Sequence, residues 1–145
     1  MKEPIWVVNH LQELPKVADE LLPFMEEQPR VAFSAPMGAG KTTLVKSIVK
    51  AMGTWDVVQS PTFNLMNVYG NSPKQVYHFD FYRLKNEAEA TAMGVPEIFY
   101  ESDYTFVEWP EKIAALLTDD FLILKIKVTG QSRSISLHNL QPGWQ

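Results

Sequence analysis

Gly38-Ala39-Gly40-Lys41-Thr42 brings two glycines, an ammonium group and a hydroxyl into one short stretch. Such a set can hold a phosphate chain. Glycine reaches backbone conformations closed to other residues, so successive N–H groups turn inward around an anion. Lys41 would reach the outer phosphates, and the Thr42 hydroxyl would ligate the magnesium ion that accompanies them. With Ala35, Pro36 and Met37 in front, the stretch fits the P-loop pattern G-x-x-x-x-G-K-[ST], Ala35 standing where the first glycine would be. The bland alternative is a glycine turn between two ordinary elements. The flanks argue against it: "RVAFSA" reads as a strand, and Leu44, Val45, Ile48, Val49 and Met52 recur at helical spacing until Gly53 stops them. A helix N-terminus then points at the same anion.

Two acids downstream could complete the chemistry. In "QVYHFDFYRL", alternation sets His78, Asp80 and Tyr82 on one strand face and Tyr77, Phe79 and Phe81 on the other, the latter reading as the core face. Asp80 either holds a metal-bound or attacking water, or is an exposed strand carboxylate. His78 reads as structural, with contact to the nucleotide as the lesser alternative. Glu108 closes the apolar run "YTFVE" where an open α/β sheet binds its ligand, which suits a magnesium acid; a helix N-cap ahead of Pro110 is the alternative. Trp109 reads as packing, with a place in the wall of the nucleotide site as the lesser alternative. Ser60-Pro61-Thr62 is either a turn or a switch whose hydroxyls sense the γ-phosphate. Arg133, beside Arg30 and Arg83 one of only three arginines, contacts phosphate or adenine, or is a solvated hairpin residue.

These residues need a scaffold, and the rest of the chain supplies one. A strand near Ile5–Val8 precedes a helix with Val17, Ala18, Leu21, Leu22 and Met25 on one face and Pro15 in its first turn. After the loop and its helix come strands near 63–69 and 75–82, joined by "GNSP". "KNEAEATAM" is a short helical stretch ending at Gly94. "YTFVEW" is a buried strand, "PEKIAALL" a helix, and "FLILKIKV" with "RSISLHNL" a hairpin around "TGQS". Helices mixed with hairpins and crossover strands predict an α/β fold of the P-loop NTPase kind, three layers around a mixed, partly antiparallel sheet.

Composition bounds the function. At 145 residues the chain reads as a single domain. It has no cysteine, which excludes disulfides and thiolate metal sites and suits a cytoplasmic protein. Its three histidines have no ligand spacing, so a hard cation held by hydroxyl, carboxylate and phosphate oxygens fits better than zinc. No apolar run reaches the length of a membrane span. A net charge of −4 argues against binding nucleic acid unaided.

Five stretches in order, "GAGKTT", "SPTFNLMNVY", "HFDFYRL", "GVPEIF" and "VEWPEK", resemble the TsaE family of small bacterial P-loop ATPases, from about Val31 to Ile113, with a weaker echo at "GQSRSISL". The resemblance implies a protein that binds and hydrolyses ATP with Mg²⁺, slowly by itself. It implies partners, TsaD and TsaB, in making the threonylcarbamoyladenosine of tRNA, the ATP cycle resetting their complex between turnovers. By the family's motifs, Met37, Gly38, Ala39, Gly40, Lys41 and Thr42 bind phosphates and Thr43 adds a hydroxyl. Thr42 and Glu108 hold Mg²⁺, Asp80 corresponds to the Walker B-like acid, and Arg133 lies near the nucleotide. Lys41, Asp80 and Glu108 are then the expected catalytic set. The family usually has glycine and an acid where this chain has Ala35 and Pro36. Before Val31 the likeness is loose, and an adenine contact extends no further than Asn9.

Other P-loop readings fit less well. A metabolite kinase needs a basic lid to neutralise two phosphate chains, and three arginines make a poor one. A GTPase would carry an N-K-x-D segment, which is missing. A nucleotide-gated binding module without turnover uses the same loop, so sequence leaves it open.

Overall fold

A computed structural model describes residues 3–59, 61, 65–141 and 144. Among them, seven strands form one mixed sheet in the order β1-β7-β6-β2-β5-β4-β3. The strands are β1 (Ile5–Val8), β2 (Arg30–Ser34), β3 (Met66–Tyr69), β4 (Val76–Asp80), β5 (Tyr104–Glu108), β6 (Phe121–Thr129) and β7 (Ser132–Asn139). β6, β2, β5 and β4 run parallel; β7 and β3 flank them antiparallel, and β1 pairs antiparallel with β7 at the outer edge. This is the expected three-layer α/β arrangement.

Alternation along the central strands divides the core in two. Val31, Phe33, Phe106, Leu122 and Leu124 face helices α1 (Leu14–Glu27) and α2 (Lys41–Ala51). Ala32, Val107, Phe121 and Ile123 face α3 (Glu87–Ala92), α4 (Val95–Ile98) and a 3₁₀ segment, Pro110–Leu116. Strands covered on both sides need apolar residues at nearly every position, and parallel crossovers impose that cover.

Local signals account for most boundaries. Gly53 (φ 89°) ends α2, with Met52, Gly53 and Thr54 amides turning back to the last turn's carbonyls. Asn86 caps α3 by accepting from the Glu89 amide at 3.0 Å. The β6–β7 hairpin is tighter than "TGQS" suggests, because Thr129 pairs with Ser132 and leaves Gly130 and Gln131 as the turn.

Three expectations are corrected. The strand read as 75–82 stops at Asp80, and Phe81 and Tyr82 lie in the following turn. Its supposedly polar face is covered: Val76 and His78 are both 0% exposed, since β4 lies inside the sheet and α2's side of it is roofed. "PEKIAALL" is a kinked 3₁₀ segment, in which Ile113 leaves helical geometry (φ −133°, ψ 32°) to bury its side chain completely. Part of the strand read as 63–69 lies outside the described residues; its described portion begins at Met66.

On the α3 side, Phe99 packs its ring against Phe79 and Phe121 at 5.3 and 5.4 Å between centroids. Phe99→Ala should therefore lower the unfolding free energy by about 3–5 kcal/mol, read as a lower urea midpoint at unchanged slope.

Candidate functional site

Strand register builds the site. Phe33 of β2 lies opposite Glu108 of β5, and Glu108 opposite Asp80 of β4, so the three form one row at the carboxyl ends. The Phe81 amide extends the pairing by donating to the Glu108 carbonyl at 3.2 Å. In-register neighbours on parallel strands share a face, which here is the face covered by α2. The loop leaving β2 thus meets both acids.

Within the loop, Gly38 and Gly40 adopt φ of 79° and 96°, and Gly40 is the N-cap of α2. A Cβ at either glycine would meet nothing within 4 Å. Backbone conformation, then, is what demands glycine, and the space beside both is open for an anion. Lys41, at 7% exposure, points back across the loop, its Nζ 3.5 Å from the Ala35 carbonyl and 3.8 Å from the Trp109 ring centroid. Burial lowers its pKa from 10.5, opposed by the attraction of Glu108, then Glu111 and Asp80.

Trp109 holds this position at a cost. Its φ of 57° is the left-handed region, uncommon for a bulky residue, and its ring also packs on Tyr82 with centroids 5.0 Å apart. Trp109 caps the 3₁₀ segment, so Glu108 is no N-cap. Instead Glu108 is 3% exposed, and its Oε2 lies 2.5 Å from His78 Nε2. The other ring nitrogen of His78 meets the Tyr69 hydroxyl at 2.9 Å. Burial raises the Tyr69 pKa above 10.0, so the phenol keeps its proton. Asp80 accepts from the Tyr82 amide at 2.9 Å.

Two cavities meet at the loop. A polar one of about 400 Å³ is lined by Met37, Thr42, Thr43, Asp80 and Glu108, with Lys41 and both glycines. A more apolar one of about 340 Å³, which also touches Gly38, Gly40 and Thr43, is walled by Val8, Leu14, Ile126 and Ile135, with Asn9 at its rim. Arg133 lines the apolar one, and its Nε donates to the Ala39 carbonyl of the loop at 3.2 Å. Asn9 accepts from the Ser132 hydroxyl at 2.6 Å.

The residues singled out in the sequence therefore converge. Met37, Gly38, Gly40, Lys41, Thr42, Thr43, Asp80 and Glu108 share one cavity, Ala39 lines the apolar one, and Arg133 braces the loop from β7. Ser60 and Thr62 lie outside the described residues. Two participants were undervalued. Trp109 covers the lysine, and His78 bonds the buried acid. For His78 a signal existed, its two-residue spacing from Asp80; for Trp109 adjacency to Glu108 was the only hint.

Comparison with known proteins points the same way. The family model described as threonylcarbamoyl adenosine biosynthesis protein TsaE matches residues 8–135. The tRNA threonylcarbamoyladenosine biosynthesis protein TsaE of Haemophilus influenzae is 32% identical over 123 residues, 84% of this chain and 78% of that protein. The protein of the same name in Bacillus subtilis is 30% identical over 130 residues, 90% and 81% of the two chains. The crystal structure of Bacillus subtilis YdiB superposes with a TM-score of 0.75 at 23% identity, covering 97% of this chain and 87% of its own, which is a likeness of fold. With the family model spanning most of its length, the chain belongs to the TsaE family of threonylcarbamoyladenosine biosynthesis.

Proposed function

We propose that the protein binds ATP with Mg²⁺ and hydrolyses it, and that this cycle resets a TsaD–TsaB complex between rounds of tRNA threonylcarbamoyladenosine formation. The observation carrying the reading is the single cavity that joins the glycine loop, Lys41 and both acids. Phosphates would lie against the amides of Met37 to Thr43, with Lys41 on the outer ones. The apolar cleft between β1, β7 and α1 is the natural seat for adenine, with Asn9 at its edge and Arg133 between base and phosphates.

The residues present fit magnesium. Thr42 and Glu108 are hard oxygen donors beside the open space at the glycines, and Asp80 stands next to them. Among the described residues no three His, Asp or Glu side chains cluster as a metal site. Bound there, the cation would neutralise charge building on the phosphates. Thr42 and Glu108 would hold it, and Asp80 would orient the attacking water by accepting its hydrogen bond. Lys41 would turn from Trp109 to the phosphate.

A kinase reading gains nothing from Arg30. Arg30 sits at the opposite end of β2 and donates to the Ser102 and Asp103 carbonyls, both at 3.0 Å. Among the described residues no helix is long and apolar enough to cross a membrane. The net charge of −4 leaves the tRNA to the partner complex. Adding the protein with ATP to TsaD–TsaB should restore repeated turnover of tRNA modification; a single round regardless of ATP would refute the resetting role.

Lys41→Ala should abolish calorimetric ATP binding. It should also remove the thermal protection that saturating nucleotide confers, about 2.7 kcal/mol at one hundred times Kd. In the parent, affinity should fall as alkaline pH passes the lowered Lys41 pKa, because phosphate attracts only the ammonium form. Glu108→Gln and Asp80→Asn should keep binding within about ten-fold yet lose about 10²–10³ in kcat. Nucleotide should change the emission of Trp109, one of four tryptophans, and Trp109→Phe should erase that change.

A further inference from the structure

Behind Glu108 runs a chain of hydrogen bonds that the reaction itself does not require. The Gln59 carbonyl accepts from Asn67 Nδ2 at 2.9 Å and from the Tyr69 hydroxyl at 3.0 Å. Tyr69 meets His78 Nδ1 at 2.9 Å, and His78 Nε2 meets Glu108 Oε2 at 2.5 Å. These five residues reach from the segment after α2, over the edge strand β3 and through β4, to β5. His78 and Glu108 are 0% and 3% exposed, with Val76, Phe106 and Phe33 among their apolar neighbours on the same sheet face.

Stability alone does not call for this arrangement. Apolar residues of similar volume usually serve a core as well as a buried polar pair does, or better. What the pair does provide is orientation. A glutamate side chain has several rotatable bonds, and tying one oxygen removes most of its alternatives before a ligand arrives. The row that holds Glu108 puts its carboxyl group at the phosphate cavity, and His78 takes hold of Oε2.

We infer that His78 is a positioning residue for Glu108. Pinned at both ring nitrogens, its imidazole fixes the carboxylate for a magnesium–nucleotide complex and links that acid, through Tyr69, to the backbone at Gln59. The inference rests on the reading of Glu108 as the magnesium acid.

The whole chain and its His78→Leu, His78→Gln and Tyr69→Phe variants test it. Each is titrated by calorimetry with a non-hydrolysable ATP analogue, in EDTA and across a magnesium chloride series, and kcat and KM for ATP are then measured. His78→Leu should weaken apparent magnesium affinity and lower kcat about 10–100-fold, with KM and the affinity in EDTA nearly unchanged. His78→Gln, whose amide N–H can stand where Nε2 stood, should recover most of that loss, and Tyr69→Phe should fall between.

A His78→Leu protein that matches the parent overturns the inference. So do equal losses with and without magnesium, or a glutamine variant as impaired as the leucine one. If His78→Leu does not fold, Tyr69→Phe decides: a magnesium-specific loss supports the inference and parental behaviour overturns it. A parent that binds the analogue identically in EDTA and in magnesium overturns the metal reading of Glu108 and this inference with it. A normal parent beside silent variants overturns the role of His78 alone.

Discussion

Parallel pairing of β2, β5 and β4 puts Phe33, Glu108 and Asp80 in one row, and the site depends on that row. Hydrogen bonding between strands sets its spacing, and two-residue alternation sets which way each side chain points. A slip of one residue in either strand would turn its acid to the opposite face. The apolar residues behind the row resist such a slip. Phe106 and Val107 belong to different cores, so a shifted β5 would exchange their surroundings and expose both cores to the wrong neighbours.

Electrostatics follows from this geometry. Lys41 is almost wholly covered, which disfavours its charge, while Glu108, Glu111 and Asp80 favour it. The Trp109 ring provides a further contact for the ammonium group, and it does so from a backbone conformation costing on the order of 1–3 kcal/mol. Strain of that kind persists where surrounding structure enforces it. Here the enforcement comes from both sides, from β5 before Trp109 and from Pro110 and the buried Ile113 after it. The lysine is thus held within a short reach of the loop's amides, in the wall of the polar cavity.

Much of this was legible in the residues themselves. The strand–loop–helix unit at Arg30–Ala51, the stop at Gly53 and the closing hairpin all rest on local conformational preference, and each is found where periodicity and glycine placement put it. Glu108 could be singled out because a carboxylate at the end of an apolar strand is unusual, and Asp80 because alternation set an acid on the polar face of its strand. The contacts that organise the site were not legible. Arg133 and Ala39 are 94 residues apart, and His78 and Glu108 are 30 apart. No window of sequence contains either pair.

The order of the strands is the missing information. Alternation in β4 correctly grouped His78 with Asp80, but whether that face met water or a helix depended on β3 pairing outside β4 and α2 roofing the sheet. The sequence by itself determined backbone conformations, the periods that make strands and helices, and the kinds of chemistry available, because these depend on neighbours along the chain. Only the tertiary structure decided which strand lies beside which, and so which acid is buried, which cation it faces and which histidine holds it. Those are matters of contact between distant segments, and burial changes the energetics of every charge involved.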